Sequence, residues 1–337
     1  MPVAARCGSR MPSSRNSPLP TAPVQIVRTV TDLRRAVQAL RVEGRRIAVV
    51  PTMGAFHAAH LDLMDRAGAD GHAVVVTLFV NPTQFGPGED LSRYPRQETR
   101  DLELAGEHGV RLVFAPTVDE MYPPGFGTTI TLSGPTAGLE GAERPGHFDG
   151  VATVVAKLLI AVRPDRAVFG QKDAQQVAVV RRLMADLHLD DIELVIAPTM
   201  REPDGLAMSS RNAYLEPDDR AAAAALSRGL RAGYALAEEG ETDAARIAAA
   251  ARAVVDAEPR CALAYAAVVD PATFEPVERL GGPALLAISA RVGPARLIDN
   301  IPLPTHSRRA DVPSRTRTIT KSAIQRATVP AMWEEQR

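Results

Sequence analysis

Short apolar runs alternate with longer amphipathic stretches through the first two thirds of the chain. The runs have strand length, whereas the stretches between them repeat apolar residues every three to four positions, as a helix with one buried face does. Such alternation is typical of a parallel sheet with helices on both faces. The predicted strands are 46–50, 73–80, 111–115, 128–132, 166–169 and 192–196; the predicted helices are 31–42 (capped by Thr31), 60–69, 97–108, 151–162 and 172–187.

The pattern changes after about residue 205. Alanine-rich helical stretches precede three strand-like runs, which indicates a smaller α+β domain that closes over the first as a lid. The predicted fold is therefore α/β, with a Rossmann-like parallel sheet at 23–204 and the lid at 205–304. We expect ligands at the carboxyl ends of the parallel strands. The predicted elements of the lid are helices 217–239 and 243–258 and strands 262–269, 284–292 and 296–299.

Basic residues are concentrated at the two ends of this 337-residue chain, whose formal net charge is −1. Residues 1–22 and 305–337 are rich in Ser, Thr, Arg and Pro, so both are expected to be disordered. The segment between them carries a net charge of −8, which does not favour a nucleic-acid partner. Residues 1–22 could also form a weak organellar transit peptide, although a disordered extension or a later start at Met11 is the simpler interpretation.

Cysteine and apolar content restrict the class of protein. Cys7 and Cys261 are the only cysteines, so neither a disulfide framework nor a cysteine metal site is expected, which favours a reducing cytoplasm. No apolar run approaches the ~20 residues of a membrane-spanning helix, so no membrane partner is expected.

A strand, a turn and the start of a helix are predicted at residues 47–60. The apolar run at 47–50 is followed by Pro-Thr-Met-Gly-Ala-Phe-His-Ala-Ala-His. His57 and His60 would share one face of a first helical turn, where free backbone N–H groups favour anions. Two histidines on a helix are more often packing or solvated residues, but this position at a strand end suits a nucleotide phosphate.

Three further motifs follow in order along the chain. They are Phe-Val-Asn-Pro-Thr-Gln-Phe at 79–85, Phe-Gly-Gln-Lys-Asp-Ala-Gln-Gln at 169–176 and Met-Ser-Ser-Arg-Asn at 208–212. Together with the histidine motif they resemble the pantothenate synthetase (pantoate–β-alanine ligase) family, part of the nucleotidyltransferase superfamily with HIGH and KMSKS signatures. The resemblance covers roughly residues 24–303, and four motifs in the family's order are a specific signal.

The resemblance implies an ATP-dependent, AMP-forming carbon–nitrogen ligase of coenzyme A biosynthesis. Family members activate the pantoate carboxylate as a pantoyl adenylate, release pyrophosphate, and let the amine of β-alanine displace AMP. In-line attack on the α-phosphorus needs positioning and charge neutralisation rather than a protein nucleophile. The resemblance also implies a homodimer and Mg²⁺ carried by ATP. The sequence shows no His, Cys or carboxylate cluster for a protein-bound metal.

Most of the implied catalytic residues handle phosphate. His57 and His60 would face the phosphates, Lys172 would contact the α-phosphate, Asp173 would hold the ribose, and the loop at 209–211 would clamp the β- and γ-phosphates. Taken alone, such a lysine is usually solvated, and Ser-Ser-Arg is usually an N-cap or turn. The predicted catalytic residues are His57, His60, Lys172, Ser209, Ser210 and Arg211, and ATP binding adds Pro51, Thr52, Met53, Gly54, Gly170, Asp173, Met200 and Met208.

Neutral amides would bind pantoate. Asn81, Gln84 and Gln176 match the family's amides, and an uncharged grip leaves the carboxylate nucleophilic. Met53 and Phe85 would line the pocket. Alternatively, Asn81 only forms a turn and Gln84 only bonds backbone. The segment 139–148 resembles the family's flexible wall, with matches at Glu140, Arg144 and His147.

The chain departs from the family pattern at four positions. Family members read His-Glu-Gly-His where this chain has Ala58 and Ala59, and Gly-Glu-Lys-Asp plus an aromatic where it has Gln171 and Ala174. Ala59 is expected to crowd the nucleotide, Gln171 removes a negative charge beside Lys172, and Ala174 removes aromatic packing. Two alternatives therefore stay open: a related adenylate-forming ligase for another hydroxy acid or amine, and a catalytically impaired nucleotide-binding homologue.

Overall fold

The computed structural model describes residues 24–305, so the predictions for the two terminal extensions and Cys7 lie outside the described residues. The first sheet has six parallel strands in the order β1-β4-β3-β2-β5-β6, which confirms the predicted Rossmann-like class. Strand order reverses between β2 and β5. The strands are β1 (Gln25–Val27), β2 (Ile47–Thr52), β3 (Ala73–Leu78), β4 (Leu112–Phe114), β5 (Arg166–Gly170) and β6 (Glu193–Ala197).

Helices cover both faces of this sheet because its central strands β2 and β3 carry apolar side chains on both sides. Along β2, Ile47 and Val49 pack into one buried cluster, while Ala48 and Val50 pack into another on the opposite face. Helices α1, α6 and α7 contribute to the first cluster, and α2 and α3 to the second. The helices are α1 (Val30–Val42), α2 (Ala58–Gly68), α3 (Glu98–Glu107), α4 (Val118–Met121), α5 (Glu140–Glu143), α6 (His147–Val162) and α7 (Ala174–Asp186).

The second sheet is antiparallel, with its three strands in chain order, and helices pack on it. This confirms the predicted smaller α+β unit, while its boundary at residue 205 and its role as a lid stay predictions. Among the described helices, none has the length and apolar composition needed to cross a membrane. The elements are α8 (Pro217–Ala223), α9 (Ala225–Glu238), α10 (Ala244–Asp256), β7 (Cys261–Val269), β8 (Leu285–Val292) and β9 (Ala295–Pro302).

Several predicted element boundaries were wrong. The N-cap of α1 is Thr29 rather than Thr31, since the Thr29 hydroxyl accepts the Asp32 N–H at 3.1 Å. Residues 128–132 form no strand in the described chain; their alternating side chains are mostly exposed, and no neighbouring strand pairs with them. The three-residue β1 was missed, and the helix predicted at 217–239 is divided at Ala224.

A glycine lets α6 approach the turn that follows β3. A Cβ atom on Gly150 would lie 2.4 Å from the carbonyl oxygen of Thr83 and 2.7 Å from the amide nitrogen of Gln84. Because both are backbone atoms, neither can move aside cheaply. The Gly150 carbonyl also accepts a hydrogen bond from Asn81 at 3.2 Å, so this contact fixes the turn as well as the helix.

We therefore predict that Gly150→Ala destabilises the protein, although glycine-to-alanine changes within helices usually stabilise by up to about 1 kcal/mol. Overpacking costs roughly 1–3 kcal/mol, so the net loss should be about 1–2 kcal/mol and visible as a lower Tm. Gly68→Ala is the matched control, because its Cβ would make only an ordinary 3.4 Å contact in α2. Equal Tm values for the two variants would contradict the close approach of α6 to the turn after β3.

Candidate active site

A cleft of about 230 Å³ opens at the carboxyl ends of β2 and β5. Strand order reverses between these two strands, so the turns that leave them diverge to opposite faces and leave a crevice, as in other open α/β sheets. The turn after β2 carries the histidine pair, and the turn after β5 carries Lys172. The cleft therefore lies at the strand ends where a ligand site is predicted, and its use as that site stays a prediction.

A buried carboxylate on α3 holds the turn that precedes the histidines. Both Gly54 and Ala55 have positive φ angles, 89° and 54°, which is a strained conformation for alanine. Asp101 accepts the N–H groups of Ala55 and Phe56, each at 2.8 Å, and is only 1% exposed. The turn then delivers His57 to the N-cap of α2.

The two histidine rings lie against each other, with centroids 4.2 Å apart, at the start of α2. Burial lowers the pKa of His57 to about 4, with the positive charge of Lys172 adding to the effect. Burial lowers the pKa of His60 to about 3, and His57 and Lys172 add to it. Both imidazoles are therefore neutral at pH 7. Each can still donate one N–H to an anion.

A 3₁₀ turn carries the lysine. It covers Gln171–Asp173, and α7 begins only at Ala174, so the helix predicted to start at Lys172 begins two residues later. The Lys172 amine lies 3.5 Å from the Asp173 carboxylate and is partly buried. The Gln171 side chain donates to Asn300 of β9 at 3.2 Å, in the second sheet.

The serine–arginine loop reaches back to the histidine turn. Ser209 caps the 3₁₀ turn Ser210–Tyr214, and the Ser210 hydroxyl donates to the Ala55 carbonyl at 3.3 Å. The Arg211 guanidinium is paired with Asp90 through two bonds of 2.9 and 3.0 Å. A contact between Arg211 and phosphate would therefore have to share or replace Asp90, a residue that sequence reasoning missed.

The amides predicted to bind pantoate differ in how many of their hydrogen-bonding atoms are already bonded to other protein groups. Asn81 is 1% exposed; its N–H₂ group donates to Gln84 and Gly150, each at 3.2 Å, and its oxygen accepts from Tyr122 at 2.7 Å. Asn81 thus fixes its own turn and also borders the cleft, while its contact with pantoate stays a prediction. Gln84 donates to the Met53 sulfur at 3.2 Å.

Residues of the wall segment 139–148 make contacts in two different places. Arg144 forms two 2.7 Å bonds with Glu89, and His147, whose pKa is lowered to about 4 by burial and by Arg144, contacts the Gln84 carbonyl at 2.8 Å. Both residues border the cleft. Glu140 instead faces the second sheet, where it accepts from Arg296 at 2.6 Å.

The structure brings together nearly all of the predicted site residues. Gly54 is the exception, since it shapes the turn behind the cleft, and Phe85 packs edge-on against Tyr94 outside it. The cleft is lined by Pro51, Thr52, Met53, His57, His60, Asn81, Gln84, Gly170, Lys172, Asp173, Gln176, Met200, Met208, Ser209, Ser210 and Arg211, together with the missed Leu63, Phe79, Tyr94, Val151, Val154, Val155, Leu158, Phe169, Pro198 and Thr199.

One face of α6 forms the apolar wall of the cleft. Val151, Val154, Val155 and Leu158 follow helical spacing, so the periodicity that predicted this helix could have identified the face but not its partner.

A second cavity of about 510 Å³ adjoins the first toward the β8–β9 turn. Among residues 24–305 there is no cluster of three or more His, Cys, Asp or Glu that could hold a metal ion. The two cavities share Arg144, His147, Lys172, Asp173, Gln176, Ser209 and Arg211.

Comparison with known proteins finds similar sequences and similar structures. A family model for pantoate-beta-alanine ligase matches residues 25–302. Relatives named pantothenate synthetase from Rhizorhabdus wittichii and a Roseiflexus species are 52% and 51% identical, and each match covers 82% of this chain and 98% of the relative. Two crystal structures are also similar. Pantothenate synthetase from Thermus thermophilus is 47% identical (TM-score 0.78; 82% of this chain, 99% of that one), and pantoate-beta-alanine ligase from Francisella tularensis, complexed with beta-gamma ATP and beta-alanine, is 29% identical (TM-score 0.69; 82% and 97%).

We predict that His57 and His60 stay neutral in the ligand-free protein well below the ordinary histidine pKa of 6.5. Histidine-selective NMR titration should find both midpoints below about pH 5, with His57→Gln and His60→Gln giving the assignments. Since folding lowers both pKa values, their contribution to the free energy of unfolding is complete above pH 6.5 and is lost as the pH falls toward 4 for His57 and toward 3 for His60. A midpoint near 6.5 for either ring would overturn this electrostatic description.

Proposed function

This chain belongs to the pantoate–β-alanine ligase family, and we propose that the cleft between β2 and β5 is where it condenses pantoate with β-alanine. The enzyme uses ATP to form a pantoyl adenylate, then releases AMP as the amine attacks, to give pantothenate. The observation that carries the assignment is the convergence of His57, His60, Lys172 and the serine–arginine loop on one cleft. The Francisella relative, complexed with beta-gamma ATP and beta-alanine, supports the same substrates here.

Adenylation requires a cationic surface at the α-phosphate. We assign Lys172 to it, because its amine is partly buried beside the histidines and carries the charge that they lack. The two neutral imidazoles then donate hydrogen bonds without repelling the lysine. Ser209 and Ser210 are assigned to the β- and γ-phosphates, and Arg211 joins them by exchanging Asp90 for phosphate oxygen.

The pantoate subsite combines an apolar wall with amides. Pantoate carries two methyl groups on one carbon, and the valines and leucine of α6 offer a matching surface. Gln84 and Gln176 supply polar contacts without a charge that would hold the carboxylate back from the phosphorus. Asn81 supports this subsite mainly by fixing the turn that carries Gln84.

The nucleotide is assigned to the residues of the β2 and β5 turns. Thr199 lies shortly after β6 and borders the same cleft. Its hydroxyl is buried and has no hydrogen-bond partner in the described protein. Gly170 and Asp173 are assigned to the ribose. The adjoining cavity, which shares Lys172 and Arg211 with the cleft, gives β-alanine a separate approach to the adenylate.

The departures from the family pattern do not remove a polar group from the cleft. Gln171 turns toward Asn300 rather than toward Lys172. Ala174 is buried in a cluster with Val269 and Phe274, so apolar packing from the second sheet meets it. Ala59 does border the cleft, where its methyl group reduces the space for the nucleotide. These placements favour pantoate and β-alanine over another substrate pair or a catalytically impaired homologue.

Three further properties belong to the proposal. Mg²⁺ would enter with ATP, held mainly by phosphate oxygens and water, and would neutralise phosphate charge. We also propose a homodimer, supported by the family resemblance and by residues 128–132, whose strand-like alternation finds no strand partner in the described chain. The proposed location is the cytoplasm, where ATP is available.

Pyrophosphate–ATP exchange should require pantoate but not β-alanine, because adenylation precedes attack by the amine. The measurement is incorporation of labelled pyrophosphate into ATP, with each substrate omitted in turn. Exchange that appeared only with β-alanine present would exclude a free-standing adenylate step. Exchange supported by a different hydroxy acid in preference to pantoate would reassign the substrate.

Lys172→Ala should lower the exchange rate by roughly 10²- to 10⁴-fold, as expected for one lost transition-state charge contact. Its Tm should change little, since the side chain is at the surface of the cleft. Lys157→Ala is the matched control: this lysine lies over the Phe126 ring at 4.4 Å and does not border the cleft. A Lys172→Ala rate above about a tenth of wild type would remove its assigned role.

A further inference from the structure

One side chain of the second sheet bonds the backbone of the lysine turn. Asn300, on β9, is 5% exposed. Its N–H₂ group donates to the carbonyl oxygens of Gln171 and Lys172, at 3.0 and 2.9 Å. Its oxygen accepts from the side chain of Gln171 at 3.2 Å. The nitrogen and the oxygen of this buried amide are therefore both bonded to the two consecutive residues that follow β5 of the first sheet.

The orientation of this amide follows from its partners. Carbonyl oxygens only accept, so the nitrogen of Asn300 must face the two backbone carbonyls. Its oxygen then needs a donor, and the Gln171 N–H₂ group supplies one. A glutamate at position 171 would set carboxylate oxygens against the Asn300 oxygen. Gln171 thus completes a bonded set rather than only removing a charge.

The neighbouring residue on β9 holds the other phosphate-handling segment. Asp299 is paired with Arg201 through bonds of 2.6 and 3.0 Å, and its side chain is 1% exposed. Arg201 follows Met200 of the cleft and donates to the Gly205 carbonyl at 3.0 Å, just before the serine–arginine loop. Adjacent residues of the second sheet therefore hold the approaches to Lys172 and to that loop.

We propose that Asn300 is a positioning residue for Lys172, through which the second sheet sets where the catalytic amine lies. Lysine has a long flexible side chain, so the position of its backbone decides which region the amine can reach. The turn Gln171–Asp173 has only three residues, and two of its carbonyls are held by Asn300. Misplacement of a catalytic group by about 1 Å can cost about 10²-fold in rate. The inference rests on the proposed function.

The test compares Asn300→Ala and Asn300→Asp in pantoate-dependent pyrophosphate–ATP exchange. Each should lower kcat by about 10- to 100-fold. The KM for pantoate should change by less than about threefold, because the amide contacts the backbone of Lys172 and not the α6 face assigned to pantoate. The aspartate keeps the shape but sets an acceptor against two carbonyls, so it should be no better than alanine. Full kcat in the aspartate variant would overturn the proposal.

A double-mutant cycle separates positioning from general damage. In a Lys172→Ala background, Asn300→Ala should lower the residual rate by less than about twofold, since its effect acts through the lysine. Equal fold losses in both backgrounds would show a structural role only. Ile301→Ala, a buried truncation on the same strand, is the matched control: it should lower Tm without changing kcat per folded molecule.

A milder variant covers the case in which Asn300 variants fail to fold. Gln171→Leu removes the donor to the Asn300 oxygen at a half-buried position but keeps both bonds from the Asn300 nitrogen, so it should lower kcat by about three- to tenfold with a smaller loss of Tm than the Asn300 variants show. An unchanged kcat would count against the proposal. Absence of pantoate-dependent exchange in the wild-type protein would instead refute the proposed function, which keeps the two failures distinguishable.

Discussion

The reversal of strand order between β2 and β5 is the constraint on which the rest of the site depends. Strands on either side of that point send their following turns to opposite faces, so a crevice opens at their carboxyl ends. The histidine turn and the lysine turn border this crevice because each follows one of the two strands. Both turns lead into helices, at whose starts backbone N–H groups favour anions.

The turns are held by buried polar groups from other elements. Asp101 on α3 bonds two amides of the histidine turn, and Asn300 on β9 bonds two carbonyls of the lysine turn. A buried carboxylate or amide is costly unless all of its atoms are bonded, so each has essentially one satisfactory arrangement. The positions of the two turns are thus set by these buried groups, which leaves the side chains that line the cleft available for substrates.

The charges in the cleft are divided in a way that suits phosphate transfer. Burial keeps His57 and His60 neutral, while Lys172 beside them carries the positive charge. Arg211 is paired with Asp90, so its charge is not left unbalanced before an anion arrives. The site thus avoids the repulsion that several adjacent free cations would create.

The sequence by itself determined the alternation of apolar strands and helices, because periodicity is a local signal, and it predicted a site at strand ends. The resemblance of its four motifs to a family identified most of the cleft's polar residues but not the apolar wall on α6. The tertiary structure alone decided which side chains hold those motifs in place. Asp101 lies 46 residues from Ala55, and Asn300 lies 128 residues from Lys172, so neither contact leaves a local pattern. For the same reason, only the fold showed that Arg211 is paired with Asp90, that Asn81 bonds its own turn, and that the strand-like residues 128–132 find no neighbour to pair with in the described chain.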